Sequence, residues 1–270
     1  MNNKYLFFIA LSTIVLFLFA SCGRGKKEDP NHIKVGVESG PEYVVAQAAQ
    51  KVAKEKYGLE VELVQFNDFI MPNTALYQGD IDVNAYQHKL FLDDQVKQRG
   101  YKFAVVGHTF VYPLAGYSKK IGSISELKNG STIVIPNDVT NGGRALLLLQ
   151  KAGLIKLSDK AGYIPKVIDI TGNPKNLKIV ELEAPQLPRV LDDNEVTIAI
   201  INNTFAAQAG LTLKDGLFVE EKDSPYVNLI VAREDNKNAD KVKKFVQAFQ
   251  SDEVAKIAEE VFKGGAIKGW

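Results

Sequence analysis

The sequence is poor in the residues that most often build disulfides, metal centres and histidine-based active sites. Its 270 residues include one cysteine and three histidines, His32, His88 and His108. A single thiol cannot close a disulfide within the chain, so an apolar core must hold the fold together. The histidines lie far apart, and the sequence contains neither the ligand spacing of a zinc site nor a catalytic motif. We therefore expect no metal site, no cofactor and no enzymatic activity.

Neither sign of charge dominates the sequence. There are 33 Lys and Arg residues against 32 Asp and Glu residues, and Lys4 is the only charged residue before Cys22. From Cys22 onward the two signs are therefore equal in number. A net charge near zero argues against nucleic acid as a partner. No period of roughly 20–50 residues repeats, which excludes a solenoid.

The one long apolar run lies at the amino terminus. Residues 5–20 contain no charged side chain, follow Lys4 and lead into the small residues Ala20, Ser21 and Cys22. A positive start, an apolar stretch and a small-residue exit are typical of a secretory signal. The run is shorter than the ~20 apolar residues that a membrane-spanning helix needs. We predict a signal segment over 1–21 and a polar tether over 22–31.

Cys22 stands at the exit of this segment. Its position resembles the lipoprotein signal of bacteria, in which the cysteine is acylated and becomes the first mature residue. The resemblance implies a palmitate-type lipid anchor and a place on the cell membrane, facing the periplasm or the exterior. The alternative is an ordinary signal peptide with an incidental cysteine, although a free thiol is unusual in an oxidising compartment.

The rest of the chain alternates strands and helices. Residues 33–37 are typical of a buried strand, 42–57 carry apolar residues at helical spacing, and 59–66 alternate as a second strand. Such a unit implies parallel strands, and the whole pattern predicts an α/β fold with parallel-rich sheets flanked by helices. We expect two lobes with a ligand cleft between them. The predicted boundaries are 32–112 plus 230–270 for the first lobe and 113–229 for the second, with crossings near 110–118 and 224–232.

A strand, a glycine-containing turn and a helix follow one another over 133–149. Gly142 and Gly143 expose backbone N–H groups, and we expect the helix to begin at or near Arg144. An arginine in a first helical turn opposes the helix dipole, whereas its guanidinium binds a carboxylate through two parallel hydrogen bonds. The segment predicts an anion site centred on Arg144. A solvent-exposed arginine after an ordinary Asn-Gly turn is the alternative.

Aromatic side chains follow the ends of two predicted strands. Phe66 and Phe69 come at the end of one, and Tyr86 and His88 at the end of another. Ligands of open α/β sheets bind outside the carboxyl ends of strands. These rings are candidates for the walls of a pocket that holds an apolar or thioether side chain, and ordinary core packing is the alternative.

Two asparagines complete a candidate polar clamp. Asn202 ends the strand 196–201, and Asn228 interrupts an apolar stretch. A buried amide must be hydrogen-bonded. Asn228 could therefore satisfy the backbone of a lobe crossing or contact a ligand.

Eight stretches together carry a resemblance that spans nearly all of residues 31–270. They are HIKVGV, QKVAKEKYGLEVELVQFNDF, GDIDVNAYQHK, GHTFVYPLAGYSKKI, IVIPNDVTNGGRALLLLQKAGLIKL, NPKNLKIVELEAPQLPR, SPYVNLIVAREDN and GGAIKGW. With them the chain resembles the NlpA lipoprotein family, the methionine-binding lipoproteins of methionine ABC importers. The resemblance implies a type II-like periplasmic-binding-protein fold, a monomer that binds free methionine (L and possibly D), and delivery to a permease and ATPase complex.

The resemblance also implies roles for single residues. It puts Arg144 on the ligand carboxylate, with Asn141 as a weaker candidate beside it, and makes Asn202 and Asn228 partners of the amino and carboxylate groups. The walls around the thioether would be Phe66, Phe69, Tyr86 and His88. Phe69 stands where relatives can have tyrosine.

Other functions remain open at this point. Within the same class, the ligand could be another small apolar amino acid or a methionyl dipeptide. A secreted hydrolase that uses His88 as a base and Arg144 as a substrate clamp is a rival from a different class, and a surface adhesin is another.

The lipid anchor gives the first testable prediction. We expect Cys22→Ala to leave a folded domain that carries no fatty acid, because Cys22 is the only thiol in the chain and stable anchoring requires buried acyl chains. Metabolic labelling with a fatty acid should mark the wild-type protein and not the variant. Equal labelling of both would overturn the lipoprotein interpretation.

Overall fold

The computed structural model describes residues 29–221 and 224–270. The predicted signal segment and Cys22 lie outside the described residues. Asn31–Trp270 form one compact unit. Within the described ranges, no helix combines the length and apolar character needed to cross a membrane.

Strands and helices alternate along this unit, as the sequence predicts. In chain order the strands are β1 (His32–Glu38), β2 (Glu60–Phe66), β3 (Val83–His88), β4 (Phe103–Val111), β5 (Ala115–Tyr117), β6 (Thr132–Pro136), β7 (Lys156–Leu157), β8 (Ile170–Gly172), β9 (Lys178–Leu182), β10 (Val196–Ile201), β11 (Phe218–Val219), β12 (Val227–Arg233) and β13 (Ile267–Lys268). The helices are α1 (Pro41–Tyr57), α2 (Met71–Gln78), α3 (Lys89–Arg99), α4 (Val139–Lys151), α5 (Asn203–Gln208), α6 (Asp240–Phe249) and α7 (Asp252–Val261).

Two mixed sheets form the centres of two lobes. The first lobe has the strand order β13-β4-β12-β3-β1-β2, and the second has β11-β5-β10-β6-β9. Strand β1 runs parallel to β2 and β3, whereas β12 runs antiparallel to both of its neighbours, β3 and β4. In the second sheet β6 is parallel to β9 and β10, and β5 is antiparallel to β10. Strands β7 and β8 form a further two-stranded sheet, and β7 packs against α4 of the second lobe.

The chain passes between the sheets twice. The first crossing is 112–114, between β4 and β5, and the second leads from Val219 at the end of β11 to Val227 at the start of β12. The sequence predicts the second crossing near 224–232 and assigns 227–229 to the second lobe. In the structure β12 begins at Val227 and pairs with β3 and β4 along its length, because its apolar residues continue the buried centre of the first sheet. The crossing therefore comes earlier in the chain.

Helix α1 shows how the sequence sets an element and its packing. Pro41 occupies the first helical turn, where its missing N–H costs nothing, and Gly58 ends the helix with φ 60°. Val45, Ala49 and Val52 line one face and are buried against the first sheet together with residues of α6 and α7. This face anchors the first lobe.

Phe66 is placed differently from its prediction. Its ring lies next to Gly36 of β1 and packs against the cluster that contains Leu76 and Ile81. Phe66 is the last residue of β2, and its side chain points to the face of the sheet that α2 covers, so it belongs to the core of the first lobe.

This contact gives a prediction about stability. A Cβ atom on Gly36 would lie 2.6 Å from Ile81 Cδ1 and 2.9 Å from Phe66 Cε2. We expect Gly36→Ala to lower the free energy of unfolding by about 1–3 kcal/mol, the usual cost of overpacking a core. Denaturant unfolding measures this loss of free energy of unfolding, and we expect the m-value to be unchanged.

Gly122→Ala is the matched control. Gly122 is exposed, and the nearest atom to its added Cβ is the flexible Glu126 carboxylate, 3.5 Å away. We expect this substitution to leave stability nearly unchanged. Equal destabilisation by the two substitutions would contradict the packing argument.

Candidate functional site

A cavity lies where the two lobes meet, at the carboxyl ends of β3 and β10. About 360 Å³ of space, open solvent included, lies between its walls. Both lobes supply walls, and so does the first crossing. The lining residues are Phe69, Tyr86, Gln87, His88, Phe91, Tyr112, Asn141, Arg144, Asn202, Asn203, Thr204 and Asn228. Seven of the eight residues predicted for a ligand site are in this set, and Phe66 is the exception.

Helix α4 starts earlier than predicted. Its N-cap is Asp138, whose carboxylate accepts from the backbone N–H of Asn141, and the first helical residue is Val139. The two glycines that suggested a turn lie inside the helix. Arg144 is therefore in the second turn, and the expectation of a helix beginning at Arg144 is wrong. A capping carboxylate outweighs the low helix propensity of two glycines because it satisfies donors at the helix start.

Arg144 already holds a carboxylate of the protein itself. Its Nε donates to Glu220 Oε1 at 2.9 Å, and its Nη2 donates to Glu220 Oε2 and to the carbonyl oxygen of Tyr112 at 3.0 Å. The guanidinium carbon also lies 4.3 Å from the centre of the Tyr226 ring. The side chain of Arg144 is 4% exposed and that of Glu220 is 14% exposed. This is a buried, bidentate ion pair.

The ion pair changes how Arg144 can meet a ligand. The Nε edge that would bind a ligand carboxylate in parallel is occupied by Glu220, so a second bidentate carboxylate cannot be accepted there. Nη1 has no hydrogen-bond partner among the described residues. Because Glu220 cancels the charge of Arg144, the cavity offers hydrogen-bond donors and acceptors and little net charge.

A chain of amides extends from the capping carboxylate into the cavity. Asn141 donates through Nδ2 to both oxygens of Asp138, at 3.1 and 3.0 Å, which leaves Asn141 Oδ1 as an acceptor. Asn202 donates to that oxygen at 2.9 Å. The Oδ1 atom of Asn202 is buried and has no hydrogen-bond partner. A buried acceptor of this kind at a cavity wall indicates that a donor from a ligand or water completes it.

His88 is fixed as a neutral ring. Its Nδ1 accepts from the backbone N–H of Phe91 at 3.2 Å, which caps α3, and its Nε2 lies 3.3 Å from Asn141 Oδ1. Since Asn141 Oδ1 can only accept, the proton is on Nε2. Burial and, secondarily, the nearby Arg144 lower the pKa of His88 to about 3. Both ring nitrogens are engaged, so neither serves as a general base.

Asn228 is positioned by an irregularity in the first sheet. The pairing of β12 with β3 shifts between Leu229 and Ile230, which leaves Tyr86 as an extra residue on β3. Asn228 Nδ2 donates to the carbonyl oxygen of Tyr86 at 2.7 Å. The bulge is thereby satisfied, and Asn228 Oδ1 has no hydrogen-bond partner among the described residues, so it is a second acceptor at the cavity.

Aromatic rings from both lobes form the apolar wall. Phe69 of the first lobe lies 4.9 Å, between ring centres, from Phe205 of the second lobe and 6.1 Å from both Tyr86 and Phe91. The Tyr86 hydroxyl donates to the carbonyl oxygen of Phe69 at 2.8 Å. These contacts hold the rings in place, and the polar atom among them, the Tyr86 hydroxyl oxygen, is hydrogen-bonded.

The sequence interpretation missed several residues of the site. Gln87 lies between two predicted residues, Tyr86 and His88, and its amide is hydrogen-bonded to Asn73 and Asn84. Thr204 and Phe91 follow the strand ends on α5 and α3, a position that could have indicated them. Nothing local to Glu220 indicates its pairing with Arg144, which is distant in sequence.

This architecture, with two α/β lobes and a cavity at their junction, defines the class of periplasmic substrate-binding proteins. The predicted fold class is confirmed. A model of the NlpA lipoprotein family matches residues 33–270, and the chain belongs to that family, as the resemblance implies.

Individual relatives are similar over nearly the whole chain. The D-methionine-binding lipoprotein MetQ of Salmonella typhimurium is 65% identical over 272 residues, covering 100% of both chains. The crystal structure of the methionine binding protein MetQ matches with a TM-score of 0.89 at 67% identity, over 90% of this chain and 99% of that one. A nutrient binding protein from Burkholderia cenocepacia, solved bound to methionine, matches with a TM-score of 0.86 at 48% identity, over 88% of this chain and 100% of that one.

The contacts of His88 predict its titration. The pKa of His88 in the folded protein, about 3, lies below the ordinary 6.5. Between these two pH values the unfolded chain binds a proton at His88 and the folded protein does not. His88 therefore lowers stability as the pH falls from 6.5 toward 3. Nitrogen NMR should show a neutral Nε2–H ring throughout pH 5–8, with His88→Asn identifying the signal. A midpoint near 6.5 would contradict the assignment.

Proposed function

We propose that this protein captures one free methionine molecule in the cavity, outside the cytoplasm, and delivers it to an ABC importer made of a permease and an ATPase. It acts as a lipid-anchored monomer through Cys22, and it binds without turnover. The family membership and the printed names of the relatives support this function.

The observation that carries the proposal is the arrangement of unpaired polar atoms opposite an aromatic wall. Asn202 Oδ1 and Asn228 Oδ1 are acceptors that suit an α-ammonium group, and Arg144 Nη1 is a donor that suits an α-carboxylate. A zwitterion matches this set, because it carries both groups and no net charge. Phe69 and Phe91 line the cavity, and a thioether sulfur packs favourably against aromatic rings.

The same arrangement disfavours other amino acids. A lysine or glutamate side chain would bring an additional charge into a cavity whose described lining holds one ionised side chain, Arg144, already neutralised by Glu220, and burial of an unpaired charge is costly. The neutral His88, with both nitrogens engaged, gives no base for hydrolysis.

Titration calorimetry on ligand-stripped protein tests the proposal. We expect L-methionine to bind one molecule per chain, and lysine and glutamate to give no heat of binding at the same concentrations. Arg144→Lys should weaken methionine binding by at least tenfold, about 1.4 kcal/mol. Lysine retains a positive charge for Glu220 but has no planar fork with a remaining N–H edge.

Arg189→Lys is the matched control. Arg189 is an exposed arginine of the second lobe that contacts Gln186 at 3.3 Å and does not line the cavity. The affinity of the Arg189→Lys protein for methionine should equal that of the wild-type protein. A wild-type protein that binds glutamate as well as methionine, or binds neither, would show the proposed function to be wrong.

A further inference from the structure

Two carboxyl groups are buried where the second lobe rests on the first. Glu38 ends β1 and is 0% exposed, and Glu42 lies in the first turn of α1 and is 5% exposed. Helix α5 of the second lobe covers this segment. The Thr204 hydroxyl hydrogen-bonds Glu42 Oε1, and Gln208 Nε2 donates to the carbonyl oxygen of Ser39 at 2.8 Å.

Neither carboxyl group has a cationic partner in the described part of the chain. Both oxygens of Glu38 are buried without any hydrogen-bond partner, and Thr204 is the side chain that bonds Glu42. The carboxyl groups that face Glu38 are those of Glu42 and Asp68.

Two tyrosines also surround the pair, and neither they nor Asp68 is a cation. The Tyr86 phenol faces Glu38, and the Tyr112 phenol faces Glu42. Asp68 accepts from two backbone N–H groups at the start of α2, at 2.8 Å each. All the groups around the two glutamates are therefore acidic or neutral.

An isolated carboxylate is strongly disfavoured away from water, so such a group takes up a proton instead. Burial raises the pKa of Glu42 from 4.5 to about 8, partly offset by the hydrogen bond from Thr204. Burial and, after it, the neighbouring Glu42 and Asp68 raise the pKa of Glu38 well above its ordinary value.

We propose that Glu38 and Glu42 form a proton-binding site that fills when α5 of the second lobe closes over the first lobe, so that closure of the cleft takes up protons and opening releases them. The inference rests on the proposed function, in which methionine holds the closed form. Asn202 and Thr204, at the start of α5, line the methionine cavity, and Thr204 also contacts Glu42. One short helix therefore joins the ligand site to the proton site.

The sign of the effect follows from the direction of the shifts. In an open cleft the carboxyl groups meet water and titrate near 4.5, whereas in the closed form Glu42 titrates near 8. Below pH 4.5 both forms are protonated and closure takes up nothing. Between 4.5 and 8 closure takes up one proton at Glu42, so affinity falls by up to about tenfold per pH unit as the pH rises. Glu38, whose pKa burial also raises, adds to the uptake in the same direction. Above pH 8 the contribution of Glu42 is constant.

Calorimetry of the full-length protein with L-methionine between pH 5.5 and 7.5 tests this coupling. Titrations in two buffers with different ionisation enthalpies give the number of protons exchanged. We expect the wild-type protein to take up protons and to bind more tightly at pH 5.5. Glu42→Gln should reduce the uptake by about one proton and flatten the pH dependence, because an amide keeps the hydrogen bond to Thr204 and does not titrate. Glu38→Gln should remove a separate part.

Glu55→Gln is the matched control, since Glu55 is an exposed carboxylate on the same helix. It should behave as the wild-type protein does. His88 does not contribute, because its ring stays neutral over this range. Methionine binding that is independent of pH, without proton exchange, would overturn the coupling and leave the proposed function intact.

Infrared spectroscopy detects the proton site independently of the affinity for methionine, because a lower pH favours the closed form whether or not a ligand is present. A protonated carboxyl group absorbs at a different infrared frequency from a carboxylate. We expect a protonated band at pH 6.5 that is stronger with methionine than without it, that weakens in Glu42→Gln and in Glu38→Gln, and that is unchanged in Glu55→Gln. Absence of such a band in both the ligand-free protein and the protein mixed with methionine would overturn the proton site.

Discussion

The buried ion pair between Arg144 and Glu220 is the contact on which the arrangement of the lobes depends. Arg144 projects from α4 of the second lobe, Glu220 belongs to the second crossing, and the carbonyl oxygen of Tyr112 that Arg144 also binds belongs to the first. Glu220 in turn accepts from the backbone N–H of Leu114. One guanidinium thus joins both connections between the lobes. Loss of either partner would leave a buried charge uncompensated, at a cost of about 3–5 kcal/mol.

The polarity of the cavity is set by the ion pair between Arg144 and Glu220 and by Asp138, the N-cap of α4. The charge of Arg144 is cancelled inside the protein, and the amide of Asn141 is oriented by Asp138, which fixes the direction of the hydrogen bonds from Asn202 and His88. The donors and acceptors that remain unpaired are therefore set before a ligand arrives. A site organised in this way discriminates between ligands by the positions of its donors and acceptors, because these positions are fixed before a ligand binds.

Much of the fold could be predicted from local pattern, and the site could be predicted only in part. Apolar spacing and a terminating glycine define α1, because both act within a few residues. The partner of Arg144 could not be found, since its pairing with Glu220 joins residues 76 apart. Phe66 was misplaced because a position at a strand end does not determine which face of the sheet a side chain occupies. The early start of α4 shows that a capping carboxylate, Asp138, can override two glycines.

The position of β12 within the first sheet determines when the first lobe can be completed. This strand lies between β3 and β4, yet it follows the entire second lobe in the chain, and Asn228 contacts Tyr86 across 142 residues. Contacts between distant residues close late and slow folding. During synthesis, the first sheet lacks an interior strand until nearly all of the polypeptide has been made. A nascent chain of this topology therefore stays incompletely folded for most of its elongation.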